Sequence, residues 1–319
     1  MNAPVPTETD PAAAPRLLDG AANLTLTPEH CNAEYWLNAV AHGTWLGLKN
    51  GHAPDLTAPP HMLAEGPLRT AVIDEFALSF LGEVMAARAI SYLVASAPAL
   101  PLMEFYATQL IDEVRHALTF RTHLVELGVA PAELLDTVER RVGRKRDAIL
   151  KPLEQFGLKV LRDEGDFIGG VIVLTVLVEG VMASSEELNE REWRRLDPAA
   201  AGILRVNSID EIRHLTVGCS IVRQHLVEHP EDKARILSLI GRGWQLWQTL
   251  PVQELAYERE TLIQQGIETH RDLLGDYELT EGRPMADTTA EERLMLAAEW
   301  SGQLQRRRLT QMGLEEALP

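Results

Sequence analysis

Cysteine is nearly absent from this 319-residue chain: Cys31 and Cys219 are the only two, and neither sits in a Cys-x-x-Cys pattern. A disulfide-stapled scaffold and a thiolate metal site are therefore excluded, and both residues read as small buried hydrophobes in a reducing cytoplasm. Positive charge is also scarce. Thirty Lys and Arg against 47 Asp and Glu leave a net charge of −17, which argues against nucleic acid or an anionic membrane as partner, since either needs a basic surface. Strand-like alternation is almost missing, so the expected class is all-α. No Gly-x-Gly-x-x-Gly follows a strand and no Walker-type loop occurs, so no flavin or nicotinamide is expected to bind this chain. The longest apolar run, Phe167 to Met182, is interrupted by Glu179 and is too short to span a bilayer. No membrane anchor is expected. With 45% hydrophobic and 24% charged residues, the composition is that of a globular protein long enough for a sizeable core.

Against this background one short stretch occurs twice: Asp112-Glu113-Val114-Arg115-His116 and Asp210-Glu211-Ile212-Arg213-His214. A Glu and a His three apart share one face of a helix, so each copy can aim a carboxylate and an imidazole at a common point. Upstream of each copy lies a lone carboxylate in apolar surroundings. Glu83 precedes Glu113 by 30 residues and Glu179 precedes Glu211 by 32. If each pair of runs is an antiparallel hairpin, turning between Pro98 and Pro101 and near Asp197-Pro198, the four carboxylates come level to within about 4 to 6 Å. Burying four carboxylates with no equally buried Lys or Arg strongly favours a cation among them. Four carboxylates and two imidazoles suit two Fe ions, with Mn as an alternative, better than one Zn. Asp112, Asp210, Arg115 and Arg213 are expected behind the ligands, the aspartates reaching across to orient the opposite imidazole and the arginines balancing charge. Phe80, Phe120, Thr175 and Ala183, at helical offsets from the ligands, are expected to line an apolar pocket.

In chain order, the Ala-, Pro- and Thr-rich residues 1–22 read as a disordered tail, and 23–319 as one domain. Thr27-Pro28 is expected to open a helix that runs to about Gly51. The ligand bundle covers about 64–229, with its third long helix starting near Leu161. Further helices fill 231–312, with an interruption at Pro251 and a capping box at Thr289 and Glu292. Trp244 and Trp247 read as core or interface anchors. Arg140, Arg141, Arg144, Lys145, Arg146 and Lys151 form a basic cluster that reads as a solvated helix face, with docking of an acidic electron-transfer protein as the alternative.

One Glu from each of two helices plus Glu-x-x-His from two others resembles the dimetal-carboxylate arrangement of the ferritin-like superfamily. The resemblance spans about residues 70–225 and implies a ferritin-like four-helix bundle with added N- and C-terminal helices. It implies a non-haem diiron oxygenase whose ligands are Glu83, Glu113, His116, Glu179, Glu211 and His214, and which takes O2, a small-molecule substrate and electrons from an external ferredoxin, reductase or flavoprotein. The Asp-Glu-x-Arg-His spelling is similar to that of the bacterial multicomponent monooxygenases. Departures narrow the resemblance. Ribonucleotide reductase small subunits carry a radical Tyr where this chain has Phe120, and arylamine N-oxygenases carry a seventh ligand, a His, where it has Asn207. In general texture the chain most resembles the azoxy-forming diiron enzymes of natural-product biosynthesis, such as that of valanimycin. Oxidation at nitrogen of an amine, hydroxylamine or hydrazine is the expected activity, with C–H hydroxylation and then iron storage as alternatives, and a homodimer is the expected assembly.

Overall fold

Proline, glycine and a few capping side chains set the ends of the helices, and these ends place the duplicated motifs opposite one another. The computed structural model describes residues 6–318, and it is all-α apart from one small hairpin of Glu278–Thr280 with Arg283–Pro284. The main helical runs are α1 (Leu17–Asn23), α2 (33–44), α3 (Pro67–Ser96), α4 (Leu100–Glu126), α5 (134–163), α6 (Phe167–Leu196), α7 (Pro198–Glu228), α8 (Lys233–Thr249), α9 (Val252–Thr269) and α10 (Ala290–Met312). Helix α3 starts on Pro67 and ends just before Ala97-Pro98, because the residue before a proline disfavours helix. Helix α4 carries Pro101 in its first turn and is followed by Gly128 at φ +90°. The Asp197 side chain caps α7 by accepting from Ala200 N at 3.1 Å, with Pro198 at the first helical position. Pro251 separates α8 from α9, and Thr289 with Glu292 forms the full capping box of α10.

Helix α3 packs along α4 and α6 along α7, and the two antiparallel pairs meet through α4 and α7. Two apolar cores form at opposite ends of this arrangement. One gathers Phe76, Phe120, Trp193, Ile203 and Ile263; the other gathers Ile90, Phe105, Val171, Leu174 and Val217. The duplicated motifs fall between them. Around its middle α7 is buried on every side, so its Asp210, Glu211, Arg213 and His214 must find partners inside the protein.

Helix α6 is not α-helical throughout: residues 173–178, just before Glu179, form a π turn, a distortion common at functional sites. The widened turn leaves carbonyls without helical partners. Gln305 Nε2 of α10 donates to Val176 O at 3.1 Å, and Trp247 Nε1 of α8 donates to Leu177 O at 2.7 Å. Trp247 thus acts as an anchor, and Trp244 does likewise through Ala317 O.

Several expectations are corrected. The described part of 1–22 is not a tail. Leu17, Ala21 and Ala22 of α1 pack on Ile212, Leu215 and Leu304, and Arg205 donates to Pro15 O at 2.9 Å. The spacing of Leu17, Ala21 and Ala22 gives α1 an apolar face that the groove between α7 and α10 can bury. Residues 1–5 lie outside the described residues. Thr27-Pro28 does not open a helix, because Asn32 is the residue that caps α2, accepting from Tyr35 N at 3.0 Å. Helix α2 ends at Thr44, and the chain then turns through Asn50 and Gly51 at positive φ. Helix α6 starts at Phe167 and not near Leu161, since Gly165 at φ +63° breaks the chain direction. Both α3 and α6 are long and apolar enough to cross a bilayer, although shorter apolar runs were expected, because their averages absorb the isolated Glu83 and Glu179. The apolar window of α6 is 72% buried and that of α3 only 28%. Cys31 and Cys219 are buried and unpaired, as expected.

Candidate metal centre

Helices α4 and α7 deliver the two copies of the motif face to face. His116 Nδ1 lies 3.2 Å from Glu113 Oε2 and 3.5 Å from Glu211 Oε1. His214 Nδ1 lies 3.5 Å from Glu113 Oε1 and 3.6 Å from Glu211 Oε1. Each motif carboxylate therefore stands between both imidazoles, whose ring centres are 6.3 Å apart. Glu83 from α3 joins the His116 side, with Oε1 3.9 Å from Nδ1. Glu179 from α6 joins the His214 side. Donor atoms of Glu83, Glu113 and His116 fall within 4.8 Å of one another, and so do those of Glu113, Glu179 and His214. All six expected ligands thus converge.

The residues expected behind them also fall into place, reciprocally. Asp210 Oδ2 accepts from His116 Nε2 at 3.3 Å, and Asp112 Oδ2 accepts from His214 Nε2 at 3.2 Å. Each aspartate reaches across to the other motif's imidazole, fixes the proton on Nε2 and leaves the Nδ1 lone pair facing the centre. Arg115 is bonded to Asp210 and Arg213 to Asp112, with a further bond from Arg213 to Asp210 Oδ1 at 3.0 Å. Asn207 Oδ1 accepts weakly from Arg115 at 3.4 Å, and its Nδ2 is buried without a partner.

Buried arginines do exist here, contrary to expectation, but they leave most of the glutamate charge uncompensated. Arg115 and Arg213 are matched by the two aspartates, and the buried Arg308 of α10 donates to Leu215 O at 2.6 Å, its charge facing Glu179. Five carboxylates remain around the centre: the four expected and Glu186. Burial, together with the Glu113 and Glu211 charges, pushes the Glu83 carboxyl well above the usual range, and burial with Glu211 does the same to Glu179. Burial and Glu211 hold Glu186 up at about 8. Burial would raise Glu113 as well, but His214 and His116 hold it at about 2. Burial opposes the charge on His116, yet Asp210 and Glu113 raise it to about 9. Meanwhile His116 Nδ1, His214 Nδ1 and Glu179 Oε2 are buried with no hydrogen-bond partner. Unpartnered nitrogen and oxygen donors converging among excess negative charge fit bound metal cations.

Four participants had gone unnoticed in the sequence. Gln109 donates to Glu179 Oε1 at 2.7 Å and Glu113 Oε1 at 3.4 Å, and its place one turn before Glu113 was a usable signal. Glu186 follows Glu179 by a heptad and so shares its face, but Ser184-Ser185-Glu186-Glu187 looks like solvated helix. Trp36 Nε1 donates to Asp112 Oδ1 at 2.8 Å across 76 residues, for which no local signal exists. The Tyr106 phenol, two turns before Glu113, is buried without a partner, and burial with the Glu179 charge raises its pKa.

The expected pocket is only partly realised. Phe80 lines an apolar groove between α3 and α4. Phe120 packs edge-on against Phe76 at 4.9 Å, Thr175 seats on Gly218 of α7, and Ala183 belongs to the core beneath α1. Those three are packing residues. The basic cluster on α5 is partly spent in ion pairs: Arg141 with Asp74, Lys145 with Glu258, and Arg146 with Glu139 and Asp147. No protein-family model matches the chain, and no curated protein is significantly similar to it.

Proposed function

We propose that the chain is a non-haem diiron oxygenase built on a ferritin-like four-helix bundle of α3, α4, α6 and α7, which uses O2 to oxidise nitrogen in a small amine, hydroxylamine or hydrazine. The observation that carries this reading is the placement of Glu113 and Glu211 between both imidazoles, with Glu83 and Glu179 at opposite flanks. Such a set would hold two cations, with Glu83 and His116 available to one, Glu179 and His214 to the other, and Glu113 and Glu211 within reach of both imidazoles. When bound, two irons of this kind share the binding and reduction of O2. The chain's own residues supply the rest. Asp112 and Asp210 hold the imidazole tautomers, Arg115 and Arg213 pair with those aspartates, and Gln109 fixes the rotamer of Glu179. The apolar cores above and below exclude water, which strengthens every charge interaction between them. Electrons come from an external donor. Asn207, whose Oδ1 accepts from Arg115, adds no imidazole on the Glu211 side, so a substrate nitrogen would meet six protein ligands there and not seven.

The test loads the metal-free chain anaerobically with ferrous iron and a chemical reductant, and then adds 18O2 with candidate amines, hydroxylamines and hydrazines. Label bonded to nitrogen in the product is the expected result. Label on carbon alone would move the reading to C–H hydroxylation. Iron oxidation without any labelled product, in a protein assembled as a large shell, would move it to iron storage.

A further inference from the structure

Positive charge, scarce in the chain as a whole, collects in the groove between α3 and α4. The lining of this groove holds two cations, Arg88 and Arg121, and no carboxylate, in a chain where acids outnumber bases 47 to 30. Both arginines are exposed, and neither guanidinium has a hydrogen-bond or ion-pair partner among the described residues. The rest of the lining is apolar apart from Ser91, and its outer wall is open to water, with Val114 54% and Leu118 41% exposed. A void of about 460 Å³ with apolar walls and a few polar groups has the size and make-up of a small-molecule site. Two unspent guanidinium groups make that site complementary to a carboxylate.

The groove passes beside the candidate metal centre. Phe80 and Ala87 stand three residues before and four after Glu83, so the three share a face of α3, and Ala117 stands one turn after Glu113 on α4. Phe80 and Ala117 are the buried floor, and Ala87 and Ala117 put only methyl groups on that side of Glu83 and Glu113. Among the candidate ligands on the His116 flank, Glu83 is the one that water reaches: 21% of its side chain is exposed, against 2% for Glu113 and none for His116. Helices α3 and α4 run antiparallel, so Arg88, five residues beyond Glu83, and Arg121, five beyond His116, lie towards opposite ends of the groove. Each stands about 7.5 Å along the helix axis from the level of those ligands.

We infer that the α3–α4 groove binds the substrate and that the substrate is an anion: an elongated molecule with an apolar body, a carboxylate end that pairs with Arg88 or Arg121, and an oxidisable nitrogen about 7.5 Å away at the level of Glu83. The inference names the substrate class of the proposed oxidation and rests on that reading for the nitrogen alone. Binding is measured without metal. Calorimetry on the metal-free full chain should show hexanoate, which has the carboxylate and the apolar body but no nitrogen, binding with a Kd of about 1 mM or tighter, and neutral 1-hexanol binding at least about tenfold more weakly. Arg88→Gln combined with Arg121→Gln should weaken hexanoate at least about tenfold. Ala87→Trp, which fills the groove, should abolish its binding with unchanged helical circular dichroism. In the iron-loaded chain, 6-(hydroxyamino)hexanoate should be oxidised with a kcat/KM at least about tenfold above that of its amide, and the double arginine variant should lose that preference. Hexanoate binding that the arginine and tryptophan variants leave unchanged, or equal kcat/KM for acid and amide, would overturn the inference. Hexanoate binding as expected, with no oxygen reaching nitrogen in either compound, would overturn the nitrogen reading and leave the anion groove standing.

Discussion

Glu113 touches both halves of the centre and Glu83 only one, so their loss should differ. Glu113→Ala is expected to abolish nearly all metal binding, whereas Glu83→Ala should leave about one equivalent, measured by elemental analysis after reconstitution with ferrous iron. Equal losses would remove the shared role assigned to Glu113. The aspartates act through the imidazoles, and Asp112→Asn or Asp210→Asn should lower metal affinity roughly 10- to 100-fold with the fold intact. An unchanged affinity in both would reduce them to partners of Arg213 and Arg115. The convergence of the six candidate ligands and of the aspartates behind them was legible because a helix repeats every 3.6 residues, so Glu-x-x-His and its neighbours advertise a face. Glu186 was legible in principle by the same rule. Trp36 was not, because its bond to Asp112 depends on where α2 docks. Phe120, Thr175 and Ala183 share the helical offsets of pocket residues, and offset alone cannot tell a void from a packed core.

At the scale of elements, prolines, glycines and caps gave the ends of α3, α4, α7 and α10, while the π turn of α6 was invisible. Its composition is that of any apolar helix, and what stabilises it comes from α8 and α10. Gln305→Leu should therefore leave the Val176 carbonyl buried and unpaired, costing on the order of 1 to 3 kcal/mol in denaturant unfolding. It should also lower metal content, because Glu179 opens the very next turn. Metal content unchanged at reduced stability would mean that the π turn does not position Glu179. A second device lies where α7 begins. His123 Nε2 donates to Asp197 Oδ2 at 3.1 Å and its Nδ1 to Glu126 Oε2 at 3.0 Å. Burial disfavours the charge on His123, but the two carboxylates prevail and raise its pKa to about 9 from an ordinary 6.5. A group raised in the folded state stabilises fully below its unfolded pKa and loses that contribution as pH climbs through its folded one. Stability should thus fall between about pH 6.5 and 9, by on the order of 3 kcal/mol. Glu192, held up at about 8 by burial and Glu260, gives a slope of the same sign at lower pH, so the measurement is the difference between the wild type and His123→Gln. Parallel pH profiles of melting temperature in the two would show that His123 is not the titrating group.

For the whole molecule, the reading of a disordered tail failed over residues 6–22 because composition does not reveal a groove. Ala-Pro-Thr sequence disorders when it has nothing to cover, but here α7 and α10 leave an apolar trough that Leu17, Ala21 and Ala22 fill. The trough lies directly behind the centre, since Ile212 and Leu215 alternate along α7 with Glu211 and His214. Gly20 makes the approach possible, as a side chain there would meet Ile212 at 2.7 Å. Deleting residues 1–24 should uncover Ile212, Leu215 and Leu304 as well as remove Leu17, and by buried area should cost about 3 to 5 kcal/mol, a large share of a typical folding free energy of roughly 5 to 15 kcal/mol. The same deletion should let α7 shift and loosen both imidazole sites. Iron retention through a desalting column is expected to drop even at temperatures where the helices remain folded. Gly20→Val in the full-length chain should reproduce part of both effects by prising α1 off α7. Denaturant midpoints and iron retention equal to wild type in the truncated chain would mean that α1 is a passive cover and that α7 is held from the α4 side alone.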